Sequence, residues 1–246
     1  MYFFQSNFNI FGTIFTLFFE FIGSLFLIIA WYTPQQSLKD LIFTSVFHSI
    51  SAFCNAGFSL FSDSLTQFQF HFPTIFIISF LIIVGGLGFP VLFNLYQRFI
   101  KNPHTKLRLQ TRMALVITLS LILFGTFIIF CTEYSHSMSA FSFLEKLQLS
   151  YFQSVTTRTA GFVTTDITMF HPSTIMMCLI LMIIGASPVS TGGGIKTTTF
   201  ALILISFWNI VKSSFRFDYQ KKTIDPNSVF VAFATLFIAL FLICGF

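Results

Sequence analysis

The chain has 246 residues, of which 55% are hydrophobic and only 9% charged, with a mean hydropathy of +0.85; a soluble domain carries about 25% charged residues, so a water-soluble fold is excluded. Thirteen Lys and Arg against eight Asp and Glu leave a net charge of +5, gathered between apolar runs, which does not make a general nucleic-acid surface, and no nucleic-acid partner is expected. Cysteines at 54, 131, 178 and 244 form no C-x-x-C pair, so neither a zinc site nor a disulfide framework can be read from them.

A helix crossing a bilayer takes about 20 mainly apolar residues, because the hydrocarbon layer is about 30 Å thick and each residue rises about 1.5 Å. Phe11 to Tyr32 meets that length with one charge, Glu20. No basic stretch precedes it and no small-residue cleavage site follows, so it reads as a retained span, not a signal peptide. After a polar turn comes Leu41 to Phe53, an amphipathic run too short to cross, which reads as a re-entrant half-helix. The second span, Phe72 to Gln97, carries no charge and includes Gly85-Gly-Leu-Gly-Phe-Pro90, expected to serve close helix packing. The third span is Met113 to Thr132, followed by a second half-helix, Phe141 to Thr157. The fourth runs from Pro172 to Val211 with a polar, glycine-rich interruption, and the fifth from Ser228 to Phe246.

Arg98, Lys101, Lys106, Arg108 and Arg112 lie between spans two and three, and Lys212, Arg216, Lys221 and Lys222 between spans four and five. Positive loops stay in the cytoplasm, so these connections are expected inside and the half-helix segments outside, in a multi-pass bacterial inner (plasma) membrane protein. Placing Ala56-Gly57-Phe58 on Ala160-Gly161-Phe162 sets an offset of 104 that also superposes the flanking spans. The expected organisation is a first pore repeat at 1–104, a second at 105–222 with a broken second span, and the first span of an incomplete third at 223–246. The fold class is all-α integral membrane, built from helix, pore-helix, loop, helix units of the potassium-channel-like type.

The loops Ser51-Ala-Phe-Cys-Asn-Ala-Gly-Phe-Ser59 and Val155-Thr-Thr-Arg-Thr-Ala-Gly-Phe-Val163 follow the half-helices. Irregular backbone at membrane depth is tolerated only where its carbonyls face protein, water or an ion. A glycine there reaches φ > 0 and lets successive carbonyls point one way, and a ring of carbonyls can replace the hydration shell of a monovalent cation. A second signal is Gly185-Ala-Ser-Pro-Val-Ser-Thr-Gly-Gly-Gly-Ile-Lys-Thr-Thr-Thr199. Pro188 lacks a backbone donor and each glycine disfavours helix by about 1 kcal/mol relative to Ala, so the fourth span should break into helix, loop and helix. The break reads as a gate under the ion path, with residues Gly185, Ser187, Pro188, Val189, Ser190, Thr191, Gly192, Gly193, Gly194 and Lys196.

The strings FHSISAFCNAGFSLFSDSL, SVTTRTAGFVTTD and SPVSTGGGIKTTTF closely resemble the Trk/Ktr/HKT superfamily of potassium and sodium transporters, within it the bacterial KtrB and TrkH type. That resemblance implies a pore of four such repeats, each with one filter glycine, here Gly57 and Gly161 flanked by Asn55, Ala56, Phe58, Thr159, Ala160 and Phe162. It implies K⁺ or Na⁺ as transported ion and no cofactor in this chain. The chain then corresponds to the second and third repeats and the first helix of the fourth. Family members pair as dimers on a cytoplasmic nucleotide-binding regulatory subunit, expected here at the basic connections; a homodimer or complementary pore repeats would complete the pore within membrane lipid. Cys54 stands where Asn is common, and Val189 and Gly192 replace Gly and Ala of a G-S-P-G-S-T-A-G-G-like string, which could stiffen the gate.

Glu20 is either a functional intramembrane acid or a helix-to-helix hydrogen bond. Arg158 is expected to pin its loop to Asp166, Glu133 or backbone carbonyls, since a fixed cation would repel a passing one. Lys196 either snorkels to the interface or pairs near the gate, with snorkelling preferred. His48, His71 and His171 read as interfacial anchors. The sequence has no H-E-x-x-H, no G-x-S-x-G and no phosphate-cradling loop, so an enzyme is not expected. A split or truncated non-conducting portion of such a transporter is the alternative.

Overall fold

The computed structural model describes residues 2–35, 37–212, 218–219, 222–223 and 225–244. Nine α-helices lie among them: α1 Tyr2–Trp31, α2 Leu38–Phe53, α3 Phe72–Leu87, α4 Phe89–Tyr96, α5 Leu109–Glu133, α6 Phe143–Thr156, α7 Pro172–Ile183, α8 Thr197–Val211 and α9 Pro226–Cys244. Two-residue strands β1 Asp218–Tyr219 and β2 Lys222–Thr223 pair antiparallel between α8 and α9. Arg216 and Lys221 of the second basic connection lie outside the described residues.

Local sequence explains the element ends. Proline in the first turn opens α3 and α7, where its missing N–H leaves no bond unmade. At the start of α6, Ser142 Oγ accepts from the Glu145 N–H while the Glu145 carboxylate accepts from the Ser142 N–H, a reciprocal cap that satisfies two otherwise orphaned donors. The 16-residue α2 and 14-residue α6 are too short to cross a bilayer and return through irregular loops. α1 and α5 each include a stretch long and apolar enough to cross, Ile10–Trp31 and Leu109–Glu133.

The second span departs from expectation. It is bent by 97° between α3 and the stretch Phe89–Lys101. Gly88 sits at φ +83, a conformation only glycine enters freely, and Pro90 cannot donate back across the junction. Its apolar composition runs on through the bend, which is why hydropathy alone reads one straight helix. The fourth span breaks as expected: α7 ends at Ile183, α8 starts at Thr197, and residues 184–196 are non-helical.

The principal core joins α1 to α4 with α5, α6 and the loop after α6, with Leu27, Phe53, Leu81, Phe152 and Phe162 fully or almost fully buried. Phe18, Phe21, Phe26 and Ile29 of α1 and Phe124 and Phe127 of α5 are exposed, the apolar face expected of helices in lipid. The two halves share specific packing. A side chain on Gly23 of α1 would overlap Ser49 Oγ of α2 and lie 2.7 Å from Leu81 Cδ1 of α3; on Gly125 of α5 it would overlap Ser154 Oγ of α6 and lie 2.8 Å from Leu181 Cδ1 of α7. Ser49 Oγ donates to Glu20 O at 2.7 Å and Ser154 Oγ to Ile122 O at 3.0 Å. The offset is therefore 102 on the first helices, 105 on the half-helices and 100 on the second helices, and 104 holds at the loop glycines.

Candidate ion filter and gate

Both loops turn by the same means. Asn55 and Gly57 have φ of +51 and +71; Thr159 and Gly161 have +72 and +87, so residues two apart enter the left-handed region in each loop. A hydroxyl on the preceding half-helix clamps each turn: Ser51 Oγ donates to Phe58 O at 2.8 Å, and Thr156 Oγ1 to Phe162 O at 2.7 Å. Under the 104 offset those hydroxyls are one position out of register, because the half-helices correspond at 105, as at Ser49 and Ser154. Ala56 and Gly161 are exposed, as is Phe58, whereas Ala160 and Phe162 are buried. The loops meet: a Cβ on Gly57 would overlap Ala160 O, and one on Gly161 would lie 3.7 Å from Gly57 Cα.

Neighbouring groups fix the two loops to each other. Leu65 N–H donates to Val163 O at 2.9 Å, and Val163 N–H to Ser64 Oγ at 3.1 Å. His48, read from the sequence as an interfacial anchor, is instead fully buried. Its Nε2 meets Ser59 Oγ at 3.0 Å and its Nδ1 meets Thr44 O at 2.8 Å, while its ring stacks on Phe61 and meets Trp31 edge-on. It is a strut beneath the first loop. His71 and His171 bond Thr74 and Ser173 at the starts of α3 and α7.

The broken segment of the fourth span folds back directly against both loops. Gly185 N–H bonds Ile195 O, Ala186 N–H bonds Gly193 O, and Ile195 N–H bonds Ile183 O, closing residues 183–195 into a compact hairpin. Glycine is required at its neck, since a Cβ on Gly185 would overlap Gly193 O. Ser187 Oγ and Thr197 Oγ1 share a bond at 2.9 Å, and Ser190 Oγ donates to Ser187 O at 2.5 Å. Gly194 has φ +72 and Val189 φ +56. Val189 thus holds a left-handed conformation that costs a β-branched residue about 1–2 kcal/mol, at the position where the resemblance implies glycine. A Cβ on Gly192 would come to 2.5 Å from Ala186 Cβ and 2.6 Å from Thr159 Oγ1, so the hairpin abuts the second loop only because this residue is glycine. Gly193 has open space around it.

The segment Gly85–Phe89 receives the hairpin. Ser187 N–H donates to Gly86 O at 2.9 Å, Thr191 N–H to Gly85 O at 3.4 Å, and Phe89 N–H to Val189 O at 3.1 Å. A Cβ on Gly88 would approach Pro188 O at 2.5 Å, and one on Gly85 would overlap Phe53 O. The motif, expected from the sequence to serve helix packing, instead binds backbone through Gly85, Gly86 and Phe89, at a glycine two residues before the proline that opens α4.

Among the charged candidates, Arg158 is buried and its Nη2 donates to Gly185 O at 3.2 Å; of the three anchors considered, the backbone carbonyl is the one realised. Asp166 instead accepts from the N–H and hydroxyl of Thr168, at 2.9 and 2.7 Å, and caps a short turn. Glu133 is buried at the end of α5, accepting from Ser137 Oγ at 2.7 Å, His171 N–H at 2.8 Å and the Thr174 hydroxyl. Lys196 does not snorkel: its Nζ donates to Gly192 O at 2.9 Å, inside the hairpin. Glu20 Oε1 lies 3.8 Å from Cys54 Sγ, so the acid faces the first half-helix, at the position where the resemblance implies Asn. No cluster of three metal-ligating side chains occurs among the described residues.

Two half-helices entering between spans, each returning through a glycine turn, define an all-helical membrane protein of the re-entrant pore-loop class. Residues 10–246 match the family model described as TrkH, cation transport protein. The chain is 38% identical over 234 residues to Ktr system potassium uptake protein B of Bacillus subtilis, covering 94% of this chain and 51% of the relative. It is 35% identical over 227 residues to Ktr system potassium uptake protein B of Vibrio alginolyticus, covering 92% and 50%. The fold is similar to the crystal structure of the potassium transporter TrkH from Vibrio parahaemolyticus, with a TM-score of 0.69, 19% identity, and coverage of 90% of this chain and 47% of that one. The chain belongs to the TrkH cation transport family, a family of transporters and not of enzymes. It spans about half the length of the curated relatives it matches.

Proposed function

We propose that this chain forms part of the conduction path of a K⁺ uptake protein, with Na⁺ as a second permeant ion. The filter is contributed by Asn55, Ala56, Gly57 and Phe58 and by Thr159, Ala160, Gly161 and Phe162, and the hairpin from Gly185 to Lys196 is its gate. The observation that carries the reading is the pair of positive-φ glycine turns, Gly57 and Gly161, set against one another at the ends of two half-helices. Each half-helix aims the partly negative end of its dipole at its turn, which favours a cation there. The membrane potential supplies about 2.3 kcal/mol per charge for each 100 mV, so net uptake needs no further energy source in the chain.

The pairing of two loops accounts for half of a carbonyl ring, and a homodimer or complementary pore repeats supply the remainder. The basic connections at Arg98–Arg112 and Lys212–Lys222 are the docking place for a cytoplasmic nucleotide-binding regulator, with the filter loops facing outward. A second reading, a portion that inserts but does not conduct alone, is favoured by the half-length coverage of the relatives. The test is rescue of a potassium-uptake-deficient bacterium by this chain alone and by this chain co-expressed with the regions of a Ktr B relative that it does not match. Rescue in either arm supports a conduction role, and rescue only on co-expression selects the second reading. Correct membrane insertion with rescue in neither arm overturns both.

A further inference from the structure

Away from both loops and from the hairpin, a cavity of about 960 Å³ lies between α3, α5 and α6, with Phe76, Ile83, Leu119, Leu123 and Leu147 among its lining side chains. Phe76, Leu119, Leu123 and Leu147 are exposed, so the cavity opens sideways, toward the medium around the spans. Its lining is apolar but for Thr118, Thr126, Gln148 and Tyr151. Of these, Thr126 Oγ1 donates to Ile122 O at 2.7 Å and Gln148 Nε2 to Gln69 O at 2.9 Å, which turns their polar atoms to the protein. Along α5 the lining runs from Leu115 to Thr126, a rise of about 16 Å, close to the roughly 15 Å of hydrocarbon in one leaflet. The Leu115 end is where the connection Arg98–Arg112 enters α5. That connection holds five basic residues and no acid, and Lys106 and Arg108 are exposed on it.

We propose that this cavity is a binding site for one acyl chain of an anionic phospholipid whose headgroup lies against Lys106 and Arg108. Lipid tails are as apolar as the lining, so the cavity gains nothing from hydrophobicity alone; it holds a chain by shape and by close contact on three sides. Selectivity comes from the headgroup, since each Lys or Arg near the surface favours an anionic lipid. The match of cavity length to leaflet depth, with positive charge at one end and none of the filter residues in the lining, is the combination that fits a phospholipid. A chain seated there fills the space between α3 and α6 and braces the second half-helix from the lipid side.

Native mass spectrometry of the full chain, released from detergent, reads the site without reference to transport, with phosphatidylglycerol and phosphatidylcholine of equal chain length as probes. One phosphatidylglycerol is expected to bind the parent, more tightly than phosphatidylcholine. Leu119→Trp fills the cavity from its exposed rim and should weaken phosphatidylglycerol several-fold. Phe124→Trp, exposed on the same helix but outside the lining, should leave it unchanged. Lys106→Gln and Arg108→Gln keep the cavity intact, and each should reduce the preference for phosphatidylglycerol about fivefold. Equal phosphatidylglycerol binding by Leu119→Trp and Phe124→Trp, with helix content retained, overturns the cavity site. A parent that binds both lipids alike overturns the headgroup contact. A lipid-free parent dimer that is lost in Leu119→Trp and kept in Phe124→Trp overturns the proposal and assigns this face to a second copy of the chain.

Discussion

At the level of single residues, the two loop glycines are equivalent in role but not in surroundings. Both occupy positive φ, so an alanine at either costs about 1–2 kcal/mol from backbone conformation alone. Only at Gly57 would the added methyl overlap backbone, the Ala160 carbonyl; at Gly161 the nearest atom is Gly57 Cα at 3.7 Å. Gly57→Ala should therefore lower the melting temperature in detergent clearly more than Gly161→Ala, and equal shifts would show that the loops do not meet as described. Gly161→Ser is the variant for chemistry, because Gly161 is exposed and its side chain would project beside the carbonyls. Its expected effect is a reduced preference for K⁺ over Na⁺ in competitive uptake, and unchanged preference would remove Gly161 from the filter. The residue contacts also mark where sequence reading stops. The glycine turns were legible because glycine after a short amphipathic run breaks an otherwise apolar pattern. For Arg158 a backbone carbonyl was among the expected anchors, but which one was not legible, and the bond of Lys196 was not legible at all, since each bonds a backbone carbonyl, of Gly185 and Gly192, and every residue offers one of those.

At the level of elements, the half-helices have unequal starts. The first, α2, begins at Ser37 without a side-chain cap, whereas α6 carries the Ser142–Glu145 box. The two hydrogen bonds from Ser142 hold the Glu145 carboxyl below its ordinary value of 4.5. A lowered carboxylate pKa contributes stability that is complete above the ordinary value and disappears as pH falls through the lowered one. Ser142→Ala should cost about 1 kcal/mol at neutral pH, read as a lower melting temperature. The difference between parent and variant should narrow as the pH is taken below 4.5. A gap of constant size down to pH 3 would mean that Glu145 takes no part in the cap. The broken fourth span was visible in the sequence, in Pro188 and the three glycines. The 97° bend after α3 was missed because Gly85 to Pro90 is apolar throughout, hydropathy carries no information on direction, and only the Gly88 and Pro90 pair carried the cue.

At the level of the whole molecule, the two halves show parallel packing at Gly23 and Gly125, and the proposal that they are one design used twice can be tested without any transport measurement. Gly23 and Gly125 occupy the same place in each unit, at the crossing of a first helix with its half-helix and second helix, against a serine hydroxyl and a leucine methyl at nearly equal distances. Neither has a positive φ, so substitution acts through space and not through backbone strain. Alanine at either position must displace the serine, whose bond to the facing carbonyl, Glu20 O or Ile122 O, is the polar contact joining half-helix to span. Overpacking of this kind costs typically about 1–3 kcal/mol. Gly23→Ala and Gly125→Ala should accordingly lower thermal stability by similar amounts, and because the two sites share no partner the double variant should show close to the sum. The serine supplies the control: Ser49→Ala combined with Gly23→Ala, and Ser154→Ala combined with Gly125→Ala, should each recover part of the loss by making room. A large effect at one glycine and none at the other would mean that the resemblance between the halves is confined to the loops, and that a pore built by repeating this unit could not rely on a common packing to place its carbonyls at equal distances from an ion.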